Sequence, residues 1–173
     1  SDLAEKVAAT LGGWGLLTTV GQQAAKRRPP GDLSAYEIYL LGAEAKHRYT
    51  LKDSIVAVRL LDEAVTKDPM LSRAWSALAW AYAVNNSFGG DLDPDGSRRL
   101  SAARRAVELD PMDADAHAAL GATLGTEGDF PTAEAEFDRA LELNSSNAHA
   151  LFMYAAWAST FGKPGRGLEA ADS

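Results

Sequence analysis

Residues 111–143, PMDADAHAALGATLGTEGDFPTAEAEFDRALEL, decide how the rest of the chain is read. Two segments of helical apolar periodicity flank Gly128-Asp129, a pair suited to a turn. Leu120, Gly121, Leu124, Gly128, Phe130, Ala133, Phe137 and Ala140 fall at the spacings of one helix-turn-helix unit of about 34 residues. Large residues in such a unit fill the space between neighbouring helices, and small ones let the backbones approach. One pair of helices cannot bury its apolar face alone, so further units are expected on either side.

Those units are present. Asp68-Pro69 and Asp110-Pro111 are two equivalent stops, and the two prolines lie 42 residues apart, so the unit between them exceeds the standard length by about 8. Its first helix carries Trp75, Leu78, Ala79 and Tyr82 at the large, large, small, large positions, and its excess falls in residues 85–96, NNSFGGDLDPDG. An earlier, divergent unit follows Pro29-Pro30-Gly31-Asp32. Ser34 with Glu37 three residues on reads as a capping box for its first helix, and Asp53 reads as the N-cap of its second, which runs to Lys67. After Asn144-Ser145-Ser146-Asn147 a further helix is expected over residues 148–160, with Leu151, Tyr154, Ala155 and Ala158 on its packed face. Only the start of a partner helix, residues 168–172, follows. This pattern resembles the tetratricopeptide repeat (TPR). The resemblance implies an all-α fold of TPR-type helix-turn-helix repeats, wound into a right-handed superhelical solenoid with one concave side.

Residues 1–31 stand apart as two short helices, over about 3–11 and 16–28, and residues 32–173 form the array: about three full repeats and a truncated fourth. Lys26-Arg27-Arg28 reads as a solvated end that favours the helix dipole. The abrupt ends lead us to expect a piece of something longer.

A hydrophobic content of 46% with 24% charged residues fits a folded soluble domain. Cysteine is absent, which removes disulfides and thiolate chemistry and fits a reducing, cytoplasmic setting. Of the net charge of -7, residues 111–173 alone supply -7, so a phosphate backbone would be repelled and nucleic acid is not expected as a partner. No stretch approaches the ~18 uninterrupted apolar residues of a membrane span, so no membrane contact is expected from this chain.

Residues 36–69, YEIYLLGAEAKHRYTLKDSIVAVRLLDEAVTKDP, with RAWSALAWAYA at 73–83, are more particular than a generic repeat. They resemble the TPR region C-terminal to the catalytic domain of bacterial class III adenylate/guanylate cyclases, and a similar segment of some winged-helix transcription regulators. DLAEKVAATLGGWG at 2–15 looks like the closing helix of the TolB-like domain that often precedes such repeats. The resemblance implies a signalling protein that makes a cyclic nucleotide. The cyclase's metal-binding aspartates and nucleotide-reading residues have no match here, so catalysis is placed outside this piece.

Other chemistry is weaker. Asp91-Leu92-Asp93-Pro94-Asp95-Gly96 copies half of a calcium-binding EF-hand loop, but Ala102 holds the place of its last glutamate. Asp93 or Asp95 is therefore expected to cap the next helix. His47, His117 and His149 lack the spacing of a helical zinc site, and His117 occupies the usual aromatic position of the repeat. Gly162-Lys163-Pro164-Gly165-Arg166-Gly167 lacks the order of a phosphate-binding loop and reads as a turn. No catalytic residue, metal site or cofactor is expected.

What remains is the concave side. The repeat register selects Tyr36, Tyr39 and Lys46, then Arg73 and Trp80, then Asp115, and finally His149 and Phe152. This mixture of aromatic and charged groups suits a protein or peptide ligand, either extended or helical, with an apolar anchor. Ala118, Ala122 and Gly125 are expected to face inward as spacers of the groove. Self-association is the alternative, through a face built around Phe152, Ala156 and Leu168 that the truncated repeat leaves uncovered, giving a possible homodimer.

Overall fold

The computed structural model describes residues 21–23, 25–26 and 33–161. Seven helices span the last of these stretches: α1 (Ala35–Lys46), α2 (Leu51–Lys67), α3 (Ser72–Ser87), α4 (Ser97–Leu109), α5 (Ala114–Glu127), α6 (Phe130–Leu143) and α7 (Ala148–Phe161). Residues 21–23 and 25–26 are also helical and pack on α1, where Ala25 is buried and Lys26 pairs with Glu44 at 2.7 Å. Lys26 is thus solvent-exposed, as the solvated reading expected, and in addition serves as an ion-pair partner. Arg27, Arg28, the 3–11 helix and the turn at 162–167 lie outside the described residues.

Local chemistry starts most of these helices where the sequence placed them. Ser34 caps α1 by the expected box: its hydroxyl accepts the Glu37 N–H at 3.3 Å, and the Glu37 carboxylate accepts the Ser34 N–H at 2.8 Å. The start of α2 differs. Its cap is Thr50, whose hydroxyl accepts the Asp53 N–H at 3.0 Å and donates to the Asp53 carboxylate at 2.7 Å. Asp53 is therefore the reciprocal partner one turn in, because the cap must have extended backbone and Thr50 has it, at φ -123 and ψ 156. Asp113 and Asp129 cap α5 and α6, and Gly128 closes α5 at φ 88, a conformation that suits glycine.

Each helix packs against the next, and α1, α3, α5 and α7 also pack against one another in succession. The first helices of the pairs thus form one continuous layer, with α2, α4 and α6 on its other side. Small residues permit the closest approaches. A Cβ added at Gly42 would stand 2.7 Å from Leu61 Cγ, and one at Gly121 would stand 3.2 Å from the Phe137 ring. Leu61 and Phe137 are fully buried beneath them.

Gly125 and Ala118 depart from their expected place as groove spacers. A Cβ at Gly125 would run into the Trp157 indole of α7. Ala118 is buried with Ala140 and Ala150. Both sit between helices because α5 is flanked by α6 and α7 and needs small residues on those sides. Ala122 alone of the three borders a hollow, together with Trp80 and Phe152. On α7, Tyr154 and Ala158 are buried as expected, and Trp157 joins them.

The extended segment between α3 and α4 is ordered by two buried polar side chains. Asn85 donates to the Ser54 hydroxyl at 3.1 Å and accepts the Leu92 N–H at 3.3 Å. Asp93 accepts the backbone N–H groups of Arg98 at 3.0 Å and Arg99 at 2.8 Å, and Asp95 accepts that of Ser97 at 3.1 Å. Both carboxylates therefore bond the first turn of α4 from outside it, while the N-cap position itself is held by Gly96 at φ 73 and by neither aspartate. The Ser97 hydroxyl and N–H hold the Asp95 carboxyl below the usual carboxylate range. His117 is buried at the aromatic position it was assigned. Its Nδ1 lies 2.6 Å from the Glu136 carboxylate and its Nε2 3.0 Å from the Pro111 carbonyl, joining α5 to α6.

Candidate partner-binding groove

The layer of first helices carries two hollows on one face. The first, of about 760 Å³, is polar and is lined from α1 by Tyr39 and Lys46, from α3 by Arg73 and Trp80, and beyond by Asp115 and Asn147. The second, of about 480 Å³, is apolar. Trp80 lines it as well, together with Phe88, Phe152 and Met153. Trp80 belongs to both walls, so the two hollows adjoin and together make up the candidate groove.

Of the residues selected by register, Tyr39, Lys46, Arg73, Trp80, Asp115 and Phe152 line this groove. Tyr36 lines neither hollow. It packs at a tilt on Tyr39, with ring centroids 5.6 Å apart, and so positions that ring. The His149 side chain lies outside the described residues. Sequence reasoning missed Tyr49, Phe88 and Asn147. Tyr49 and Phe88 come from connections, where helical register says nothing, although a phenylalanine inside a turn-rich insertion was a signal in itself. Tyr49 is the one non-glycine among the described residues with positive φ, at 51°, and its ring is 55% exposed at the groove edge. Such a conformation is uncommon outside glycine and clusters at binding sites.

The polar hollow is partly dehydrated, and its titratable groups register this. Burial pushes the Tyr39 phenol up to about 12, with Arg73 acting against the shift. Burial brings the Lys46 ammonium down from the ordinary 10.5 to about 8, with Asp115 acting against it. Burial and then the Asp115 charge raise Asp113, and burial and then Lys46 lower His47. Asp115 in turn accepts a hydrogen bond from Asn147 at 2.8 Å, which ties the start of α5 to the turn before α7.

Lys46 is thus held at a cost to folding. Because its folded pKa is depressed, the penalty for the charge is fully present below about pH 8. It fades as pH rises toward 10.5 and the folded form sheds its proton first. Lys46→Met is expected to stabilise the protein by about 1–3 kcal/mol at pH 7, the gain shrinking at pH 10. Urea denaturation at the two pH values measures this, and a variant less stable than the parent at pH 7 refutes it.

The paired helices, their continuous layer of first helices and the glycine and alanine contacts between them define a TPR-type helical solenoid. The solved structures similar to this chain agree. TTC0263, a thermophilic TPR protein of Thermus thermophilus, superposes with a TM-score of 0.70 at 21% identity, over 98% of this chain and 84% of that one. MamA superposes with a TM-score of 0.57 at 17% identity, over 94% of this chain and 87% of its own. A double mutant of MamA RS-1 gives 0.54 at 26% identity, over 82% and 71%. No family model matches the sequence, and no curated protein does. Among the described residues there is no cluster of side chains suited to a metal ion, and no helix is long and apolar enough to cross a membrane.

Proposed function

We propose that this chain is a protein-interaction module that holds a peptide or helix of a protein partner in its concave groove. We further propose that it serves as the regulatory TPR region of an adenylate/guanylate cyclase-like signalling protein in the bacterial cytoplasm. The observation carrying the first statement is the convergence of Tyr39 and Lys46, Arg73 and Trp80, and Phe152 from three separate helices onto one groove with an apolar and a polar half. Buried aromatic anchors beside a few fixed charges are what peptide grooves supply. The second statement rests on the resemblance of residues 36–69 and 73–83 to cyclase-associated repeats. On that reading residues 1–31 are the tail of a TolB-like domain, residues 32–173 are the array, and catalysis belongs to another part of the parent. A parent with a winged-helix domain in place of the cyclase is the alternative. The net charge of -7 favours a protein partner over nucleic acid.

Selection of a displayed random-peptide library against the immobilised chain tests the groove. Wild-type protein is expected to enrich a peptide family, and Phe152→Ala and Arg73→Ala, each folded by circular dichroism, to lose about tenfold or more in affinity for it. Unchanged affinity in both variants removes the groove as the binding site.

Self-association is the second reading, favoured by the Phe152 ring being 66% exposed. Ala156 beside it is half-buried, and Leu168 lies outside the described residues. Sedimentation of the parent against Phe152→Asp separates the two readings, since a homodimer through this face dissociates in the variant.

A further inference from the structure

Most charged groups in the polar hollow are already engaged within the protein. Asp110 accepts the Met112 N–H at 3.0 Å, Asp113 the Asp115 N–H at 2.9 Å, and Asp115 the Asn147 amide at 2.8 Å. Arg73 also has an interaction within the chain. Lys46 differs: no hydrogen bond or ion pair holds its ammonium among the described residues, though it lines the hollow between Tyr39 and Asp115. An ammonium removed from bulk water without a partner costs free energy that an incoming anion recovers. The apolar half beyond Trp80 displays Phe88 and Phe152, 47% and 66% exposed, which is surface that an apolar side chain would cover.

Provided that the concave face is a peptide groove, we propose that it selects partner segments in which a glutamate or aspartate side chain stands beside an apolar one. The carboxylate pairs with Lys46, and the apolar side chain seats among Trp80, Phe88 and Phe152. Trp80, shared by both hollows, sets the two contacts side by side and so makes their spacing part of the selection. One ammonium with three donors matches one carboxylate. Asp110, Asp113 and Asp115 around it oppose a segment with several acids, so the preference is for a single acidic residue and not for an acidic run. The titratable and charged groups that line the hollow with Lys46 are Tyr39 of α1, His47 at its C-cap, Arg73 of α3, Asp110 at the end of α4, and Asp113 and Asp115 at the start of α5. As pH rises through about 8 the free protein loses the Lys46 proton, so affinity for the acidic segment falls.

The test uses the same displayed library against wild type and Lys46→Met, followed by binding of a selected peptide synthesised with an amidated C-terminus. Wild type is expected to enrich an internal Glu or Asp next to Leu, Phe or Trp. Replacing that Glu by Gln is expected to weaken binding to wild type at pH 7 by about tenfold or more, and to Lys46→Met by less than about twofold. Lys46→Arg, which keeps the charge, retains the preference. The affinity of wild type falls between pH 7 and 9, and that of Lys46→Met does not. Enriched peptides without an acid, indifference of wild type to the Glu to Gln change, or binding only through a free C-terminal carboxylate overturns the proposal and leaves the peptide groove standing. Failure of folded wild type to enrich any peptide overturns both.

Discussion

Phe137→Ala is expected to cost about 3–5 kcal/mol. The Phe137 ring is fully buried, lies over Gly121 and meets Tyr154 and Trp157 at centroid distances of 5.4 and 5.7 Å. Tyr154 and Trp157 stack on each other at 5.9 Å, so the Phe137 ring of α6 joins α7 to the solenoid alongside the contacts of α7 with Phe130 and with α5. Deleting it leaves a cavity that these rigid aromatics cannot fill by small adjustments. In a repeat array each unit is stabilised mainly by its neighbours, so the loss is local. Hydrogen exchange is expected to accelerate in α5 to α7 while α1 to α4 stay protected. Uniform acceleration along the chain would sink that picture. Phe152→Ala on the same helix as Tyr154 and Trp157 is the control: it exposes no cavity and is expected to change stability by about 0.5 kcal/mol or less.

Asp93→Ala is expected to cost about 2–4 kcal/mol, because it strands the buried Arg99 N–H and the part-buried Arg98 N–H at once. Asp93 is 1% exposed and its carboxylate spans the Arg98 and Arg99 amides, while the Asn86 amide donates to the Asp93 carbonyl at 3.1 Å. Its loss therefore frees the start of α4, while the Asn86 bond, made to the Asp93 backbone carbonyl, survives the substitution. Thermal denaturation measures the effect. Asp93→Asn keeps one acceptor oxygen and is expected to lose about half as much. An equal loss for Asp95→Ala, whose cap is exposed, would show that burial of Asp93 is not the cause.

The groove was legible wherever helical register carries information. Tyr39, Lys46, Arg73, Trp80 and Phe152 were selected from their positions in the repeat and stand together on one face, because a first helix presents the same positions to the same side in every unit. Tyr36 came from the same register, yet it points to its neighbour Tyr39 because it lies in the first turn of α1, away from the hollows. Tyr49 and Phe88 were not reachable in this way. They stand in connections, and where a connection carries a side chain depends on the hydrogen bonds that fold it back, such as those of Asn85.

What the sequence determined by itself is the series of helices and their pairing. Periodicity, the Asp-Pro stops, the Gly128-Asp129 turn and the caps are local signals, and each acts within a turn or two of its own residue. Only the tertiary structure decided how shared residues are spent. It turned Gly125 toward Trp157, made Thr50 the cap with Asp53 as its partner, engaged Asp93 with the backbone of α4, and left Lys46 in the polar hollow with no hydrogen-bond partner among the described residues. Residues 111–143 contain the helices of one unit, but α5 has neighbours in α3, α4, α6 and α7. Which of its small residues borders the groove and which lies between helices follows from that packing, a property of several units together.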